Sequence, residues 1–65
     1  MTPEALGAIQ QELADISERL GTLLAQASED EKHQFFEQVG AARYYMEKAS
    51  LEIRAVIQQL QNQEE

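Results

Sequence analysis

Leu6, Ile9, Leu13, Ile16, Leu20, Leu23 and Ala27 recur at alternating steps of three and four residues through the first half of the chain. Phe35, Val39, Ala42, Met46, Ala49, Ile53, Val56 and Leu60 repeat the pattern in the second half, with polar residues filling most of the intervals. Steps of three and four return a side chain to one face of an α-helix, so each half predicts a helix with a single apolar seam.

Local signals bound the two helices. Thr2-Pro3-Glu4 combines a capping hydroxyl, a proline that fits the first helical position and an acid at the positive end of the helix dipole. Ser28 with Glu31 three residues on is a capping-box pair, and Glu29, Asp30 and Glu31 crowd the first turn of the next helix. The spacing predicts α1 over 3–26, a turn at 27–28 and α2 over 29–62. So short a connection favours antiparallel neighbours, which makes residues 1–65 one all-α antiparallel helical hairpin. One unbroken helix is the alternative, since neither Gly nor Asn marks the end of α1. Folding back at Ser28 sets Leu20 against Val39, Leu13 against Met46 and Leu6 against Ile53. One position away, Ile16 meets Ala42 and Ile9 meets Ala49, large against small, while Phe35 and Phe36 close the turn end over Leu23 and Leu24.

Two features of this hairpin point to self-association. α2 runs about ten residues, or roughly 15 Å, beyond the reach of α1, and Val56, Ile57 and Leu60 lie on that overhang. In a two-helix unit each seam residue also keeps one flank open. The surface expected to meet a second copy therefore comprises Leu6, Ile9, Leu13, Ile16, Leu20, Met46, Ile53, Val56, Ile57 and Leu60. The expected assembly is a two-fold homodimer forming a four-helix bundle.

Away from that seam, α2 carries Ala41, Tyr44, Lys48, Leu51 and Ala55 at the same spacing. Tyr44, Lys48, Leu51 and Ala55 are the expected contact strip for a different protein, because an aromatic and a leucine one heptad apart suit a groove or partner helix. A solvated face with stray apolar residues is the plainer reading. Tyr45 is expected at the seam edge, half-buried with its hydroxyl in water. Gly7, Ala14 and Gly21 fall seven residues apart on α1, where each glycine costs about 1 kcal/mol relative to alanine. Close approach of another helix would account for them; an indifferent surface row is the plainer alternative.

Composition narrows the classes of function. A core built from 65 residues rarely yields more than ~3–5 kcal/mol without disulfides, metal or oligomerisation. The chain has no cysteine, which removes disulfides and thiolate metal sites and leaves association as the support. Twelve acidic residues against five basic give a net charge of −7, a field that repels phosphate backbones and anionic lipids. Neither nucleic acid nor membrane is therefore an expected partner. The opening MTPEALGAIQQELADI lacks a basic n-region and a long apolar run, so it does not read as a signal peptide, and the expected location is cytoplasmic.

Candidate chemistry is sparse. Glu29, His33 and Glu37 share a face of α2, but a metal site needs further ligands and a supporting shell, which α1 does not offer. Ser17, Ser28 and Ser50 have no arranged base, and no carboxylate pair shares a pocket. The expectation is no enzyme, no cofactor and no metal. Arg43 with Glu47, and Lys48 with Glu52, are expected as i,i+4 ion pairs that keep α2 soluble.

The capped start, two heptad helices, tight polar turn and length resemble the Rop family of plasmid copy-number regulators. The layout is also similar to the small helical-hairpin co-chaperones of type III secretion needles, which pair with a helical-repeat partner. The first resemblance implies an RNA-binding face, which in that family is basic and aromatic and lies on the first helix. Here α1 carries Arg19 alone against Glu4, Glu12, Asp15 and Glu18, so that activity is not expected to carry over. The function read from the sequence is a small non-enzymatic interaction module or adaptor that self-associates. The alternatives are a co-chaperone hairpin completed by a different chain and, third, a Rop-like nucleic-acid regulator.

Overall fold

A computed structural model describes residues 1–63 as two helices packed against each other, α1 over Pro3–Gln26 and α2 over Glu29–Gln63. The end of α2 lies one residue beyond the bound read from the sequence. Both starts are capped by side chains. Thr2 Oγ1 accepts from the Ala5 N–H at 3.1 Å, with Pro3 following in the first turn. At the second start the Glu31 N–H donates to Ser28 Oγ at 3.2 Å, while Glu31 Oε1 accepts from the Ser28 N–H at 3.2 Å and from its hydroxyl at 3.0 Å. The box is reciprocal. α1 ends without a left-handed residue: Ala27 is extended, with φ −71° and ψ 162°, and its N–H donates to the Leu24 carbonyl at 3.2 Å.

Ser28→Ala removes the hydroxyl that serves the Glu31 N–H. It is expected to cost about 1 kcal/mol, read as a lower urea midpoint of the helical circular dichroism signal. An unchanged midpoint would show that packing alone holds the reversal.

Between the helices, the seam departs from the expected one by a rotation. Leu6, Leu13 and Leu20 on α1, and Val39, Met46, Ile53 and Leu60 on α2, are half-buried as expected. The second row of the seam is different: Gln10, Ser17 and Leu24 on α1, with Ser50 and Ile57 on α2. Gln10 Nε2 donates to the Ser50 carbonyl at 2.9 Å and to Ser50 Oγ at 3.4 Å. Arg43 Nε donates to Ser17 Oγ at 3.3 Å. The Ile and Ala positions expected inside the seam lie at its edge, and these polar pairs occupy the other side. Ile9, Ile16, Leu23 and Phe35 stand 44, 44, 64 and 42% exposed, and Ala42 and Ala49 are exposed too. The turn end is likewise not closed, since Phe36 is exposed beside half-buried Leu24.

The hydrogen bonds also fix the register. With Gln10 level with Ser50 and Ser17 with Arg43, Ile57 comes level with Pro3. Val56, Ile57 and Leu60 are half-buried rather than uncovered, although Leu60 still lies about one turn beyond the start of α1.

Among the described residues none is buried. A compact monomer of 7.4 kDa presents about 4,200 Å² of accessible surface, whereas the hairpin presents 5298 Å². Its exposed large apolar side chains include Ile9, Ile16, Leu23 and Phe35 beside the seam, and Phe36, Tyr44, Tyr45 and Leu51 elsewhere on α2.

Candidate interaction surface

The rotation determines where those side chains go. On α1 the row Ile9, Ile16, Leu23 lies one heptad step to one side of Leu6, Leu13, Leu20, and the row Gln10, Ser17, Leu24 lies one step to the other. On α2, Phe35, Ala42, Ala49 and Val56 flank Val39, Met46, Ile53 and Leu60 in the same way, with Arg43, Ser50 and Ile57 opposite. The helices run antiparallel and both are right-handed, so equal steps back along each chain turn toward the same side of the hairpin. The Gln10–Ser50 and Ser17–Arg43 bonds mark one side as polar. The Ile and Ala rows therefore share the other side, Ile16 beside Ala42 and Ile9 beside Ala49, as an open apolar face.

The angle of this arrangement is informative. In a two-stranded coil the bisector of the two apolar rows points straight at the neighbouring helix. Here the half-buried rows place the neighbour on one side of the Leu row and the Ile row on the other, an offset of about 50°. A helix in a square four-helix arrangement turns its stripe toward the bundle axis, ~45° from either neighbour. The backbone extends 54 Å along the helices and 16 and 12 Å across them.

The polar side is built differently. Leu13, Ser17, Arg43, Met46, Glu47 and Ser50 line a shallow cleft, and the Arg43 guanidinium lies over Gly21, where an added Cβ would meet Nη1 at 3.0 Å. Arg43 thus reaches across to α1 at the surface instead of pairing with Glu47. Among the described residues the one ion pair is Lys32 with Glu29, at 3.4 Å on the surface, where such a pair contributes little. A Cβ at Gly7 or Gly40 meets nothing within 4 Å. Gly7→Ala is therefore expected to raise stability by about 1 kcal/mol, the helix-propensity difference, seen as a higher thermal midpoint. A loss of stability would mean that another helix approaches along the Gly7–Gly21 row.

The strip expected to meet a different protein lies on the outside of α2. Tyr44 and Leu51 are 55 and 60% exposed, and Lys48 and Ala55 are exposed as well. Lys48 Nζ lies 5.6 Å from the centre of the Tyr44 ring rather than beside Glu52, and the Tyr45 ring meets Tyr44 edge-on at 5.6 Å. Tyr45 itself is 67% exposed, not half-buried. His33 sits with Glu29, Lys32, Phe36 and Glu37 around an open depression near the turn. Among the described residues no cluster of three metal-ligating side chains occurs, and no helix is long and apolar enough to cross a membrane.

Gln10, Ser17, Arg43 and Ser50 are the seam residues that the apolar spacing passes over. Their signal is present: each lies one heptad step from the Leu or Met row, in a second frame that shares Leu6, Leu13 and Leu20 with the first. Comparison with known proteins gives no family model, no curated protein and no solved structure that matches the chain. The functional reading rests on the geometry of the chain itself.

Proposed function

We propose that this chain is a small non-enzymatic protein–protein interaction module that self-associates, two hairpins joining their open faces into a four-helix bundle. The observation that carries the reading is the rotation of both helices. Their Ile and Ala rows face a bundle axis that one hairpin cannot enclose. The absence of any buried residue among those described supports it, since a chain of this size needs added burial to offset the entropy of ordering. Leu6, Leu13, Leu20, Met46 and Ile53 then belong to a core shared by both copies. Ile9, Ile16 and Val56 join across the new interface, and Leu60 extends it beyond the start of α1.

Sedimentation equilibrium from 1 to 100 μM (about two decades of mass action) with thermal melts at each concentration tests this. A dimer whose melting temperature rises with concentration is expected. A folded monomer with a concentration-independent melt overturns the reading. A weakly helical monomer points instead to a hairpin completed by a different protein.

The Tyr44, Lys48, Leu51 and Ala55 strip faces away from the proposed core and stays available to another protein in this assembly. A Tyr44→Ala, Leu51→Ser double variant is expected to keep its helix content and its self-association within ~1 kcal/mol, as surface positions do. Dissociation of that variant would assign the strip to the chain's own assembly.

A further inference from the structure

Resting on that self-association reading, we infer that Gln10, Ser17, Arg43 and Ser50 are positioning residues for assembly. Their bonds across the seam hold both helices turned so that the Ile and Ala rows stay outside it. The order of exposure is the observation that calls for such a device. Gln10, Ser17 and Ser50 are half-buried between the helices, whereas Ile9 and Ile16 each stand 44% exposed. Apolar burial alone ranks them the other way, since a branched aliphatic side chain gains from leaving water and an amide or hydroxyl does not. The seam that apolar burial favours is reached by turning each helix about 50°, which brings Ile16 against Ala42 and Ile9 against Ala49. In that closed orientation the hairpin covers more of its own apolar stripe and has less of it to offer a second copy.

Three contacts oppose the closed orientation. Gln10 Nε2 donates to the Ser50 carbonyl at 2.9 Å and to Ser50 Oγ at 3.4 Å, and Arg43 Nε donates to Ser17 Oγ at 3.3 Å. Turning the helices carries Gln10 away from Ser50 and Ser17 away from Arg43, so both bonds favour the open orientation. The third contact is a fit. The Arg43 guanidinium crosses α1 at Gly21, where a Cβ would lie 3.0 Å from Nη1, 3.2 Å from Cζ and 3.5 Å from Nη2. Gly7, on the same row of α1, has nothing within 4 Å. Gly21 therefore leaves room for the arginine, and that room accounts for a residue the helix otherwise disfavours. A polar pair in a helical seam can fix one geometry at a cost in stability. Here the cost is the exposure of Ile9 and Ile16, which a second copy offsets by covering them.

Gln10→Ala with Ser17→Ala removes both bonds without altering the charge or the open face, and alanine suits a helix interior. The double variant is expected to keep its helix content and to dimerise about tenfold more weakly, because the orientation competent to assemble is less populated. A Gln11→Ala, Thr22→Ala control removes an amide and a hydroxyl whose bonds stay within α1, to Asp15 and to the Glu18 carbonyl. Its dimer is expected within about twofold of the parent. The orientation is read separately. Ala14 and Glu47 line the same cleft on the polar side, and the sequence has no cysteine, so Ala14→Cys with Glu47→Cys takes a pair of nitroxides. Dipolar broadening is measured with excess unlabelled chain, at a concentration where the double variant is mostly monomeric. The open orientation sets the labelled positions roughly 9 Å apart and the closed one roughly 17 Å, from the spacing and diameter of packed helices. Broadening is expected in the parent and reduced in the double variant. A double variant that dimerises as tightly as the parent, one that keeps the parent's broadening, one that loses its helical signal, or a parent without broadening overturns the positioning role while the dimer itself stands. A parent that stays monomeric at every concentration defeats the self-association reading as well.

Discussion

Ile16→Asp is expected to abolish assembly and most of the helical signal at micromolar concentration. In the proposed bundle Ile16 of each copy lies in the central layer, so the substitution sets two carboxylates side by side in an apolar interior. An uncompensated buried charge costs about 3–5 kcal/mol, and here it enters twice, against a total stability of ~5 kcal/mol for a fold this small. In a lone hairpin the same change would be mild. Ile16 is 44% exposed there, and an aspartate turned to water costs less than about 1 kcal/mol. Circular dichroism at 10 μM (about the concentration where a micromolar dimer is formed) separates the two cases. Retention of the parent helical signal would remove the open face from the interface.

Leu13→Ala carries the second large effect. Leu13 sits midway along α1 in the row that faces α2, beside Met46 and Ser17 at the inner cleft. In the hairpin it is only half-buried, so truncation by itself should forfeit about 1–2 kcal/mol of transfer free energy. In the bundle the same side chain is enclosed from a second side, and leucine-to-alanine changes in enclosed cores cost about 2–5 kcal/mol. Urea titration at fixed concentration gives the number. A loss above 2 kcal/mol per chain fits an enclosed Leu13; a loss near 1 kcal/mol leaves it at the edge of a two-helix unit.

The helices and their direction were readable in the residues because the signals are local. Thr2-Pro3 and Ser28 with Glu31 supply hydrogen-bonding partners within three positions, and such short-range chemistry does not depend on what packs nearby. The shared rows of Leu6, Leu13, Leu20 and of Met46, Ile53 were readable for a similar reason, since both possible frames contain them. The rotation was not. Apolar spacing states which side chains share a stripe, but not where around that stripe the neighbouring helix sits. Gln10 and Ser17 could enter the seam only because Ser50 and Arg43, far along the chain, offer partners at the right level. The same long-range pairing took Arg43 from Glu47 and moved Ile57 level with Pro3, two outcomes no nearest-neighbour rule contains. Tyr45 followed the rotation outward, away from the half-buried place its position in the pattern predicted.

The connection at Ala27 and Ser28 has a further consequence for how the chain can be rearranged. The reversal uses no positive-φ residue, so nothing in its covalent make-up forbids a straight path through these two positions. Side-chain hydrogen bonds from Ser28 and Glu31 hold it bent, at about the strength of one helix cap. An opened chain, with α1 crossing to lie on the α2 of another molecule, buries the same rows in the same layers. The energy separating the closed and exchanged forms is then set by the turn alone. Lengthening the two-residue connection with flexible residues favours the closed form by easing the bend, and deleting it favours exchange. The turn thereby governs topology while leaving the composition of the core untouched.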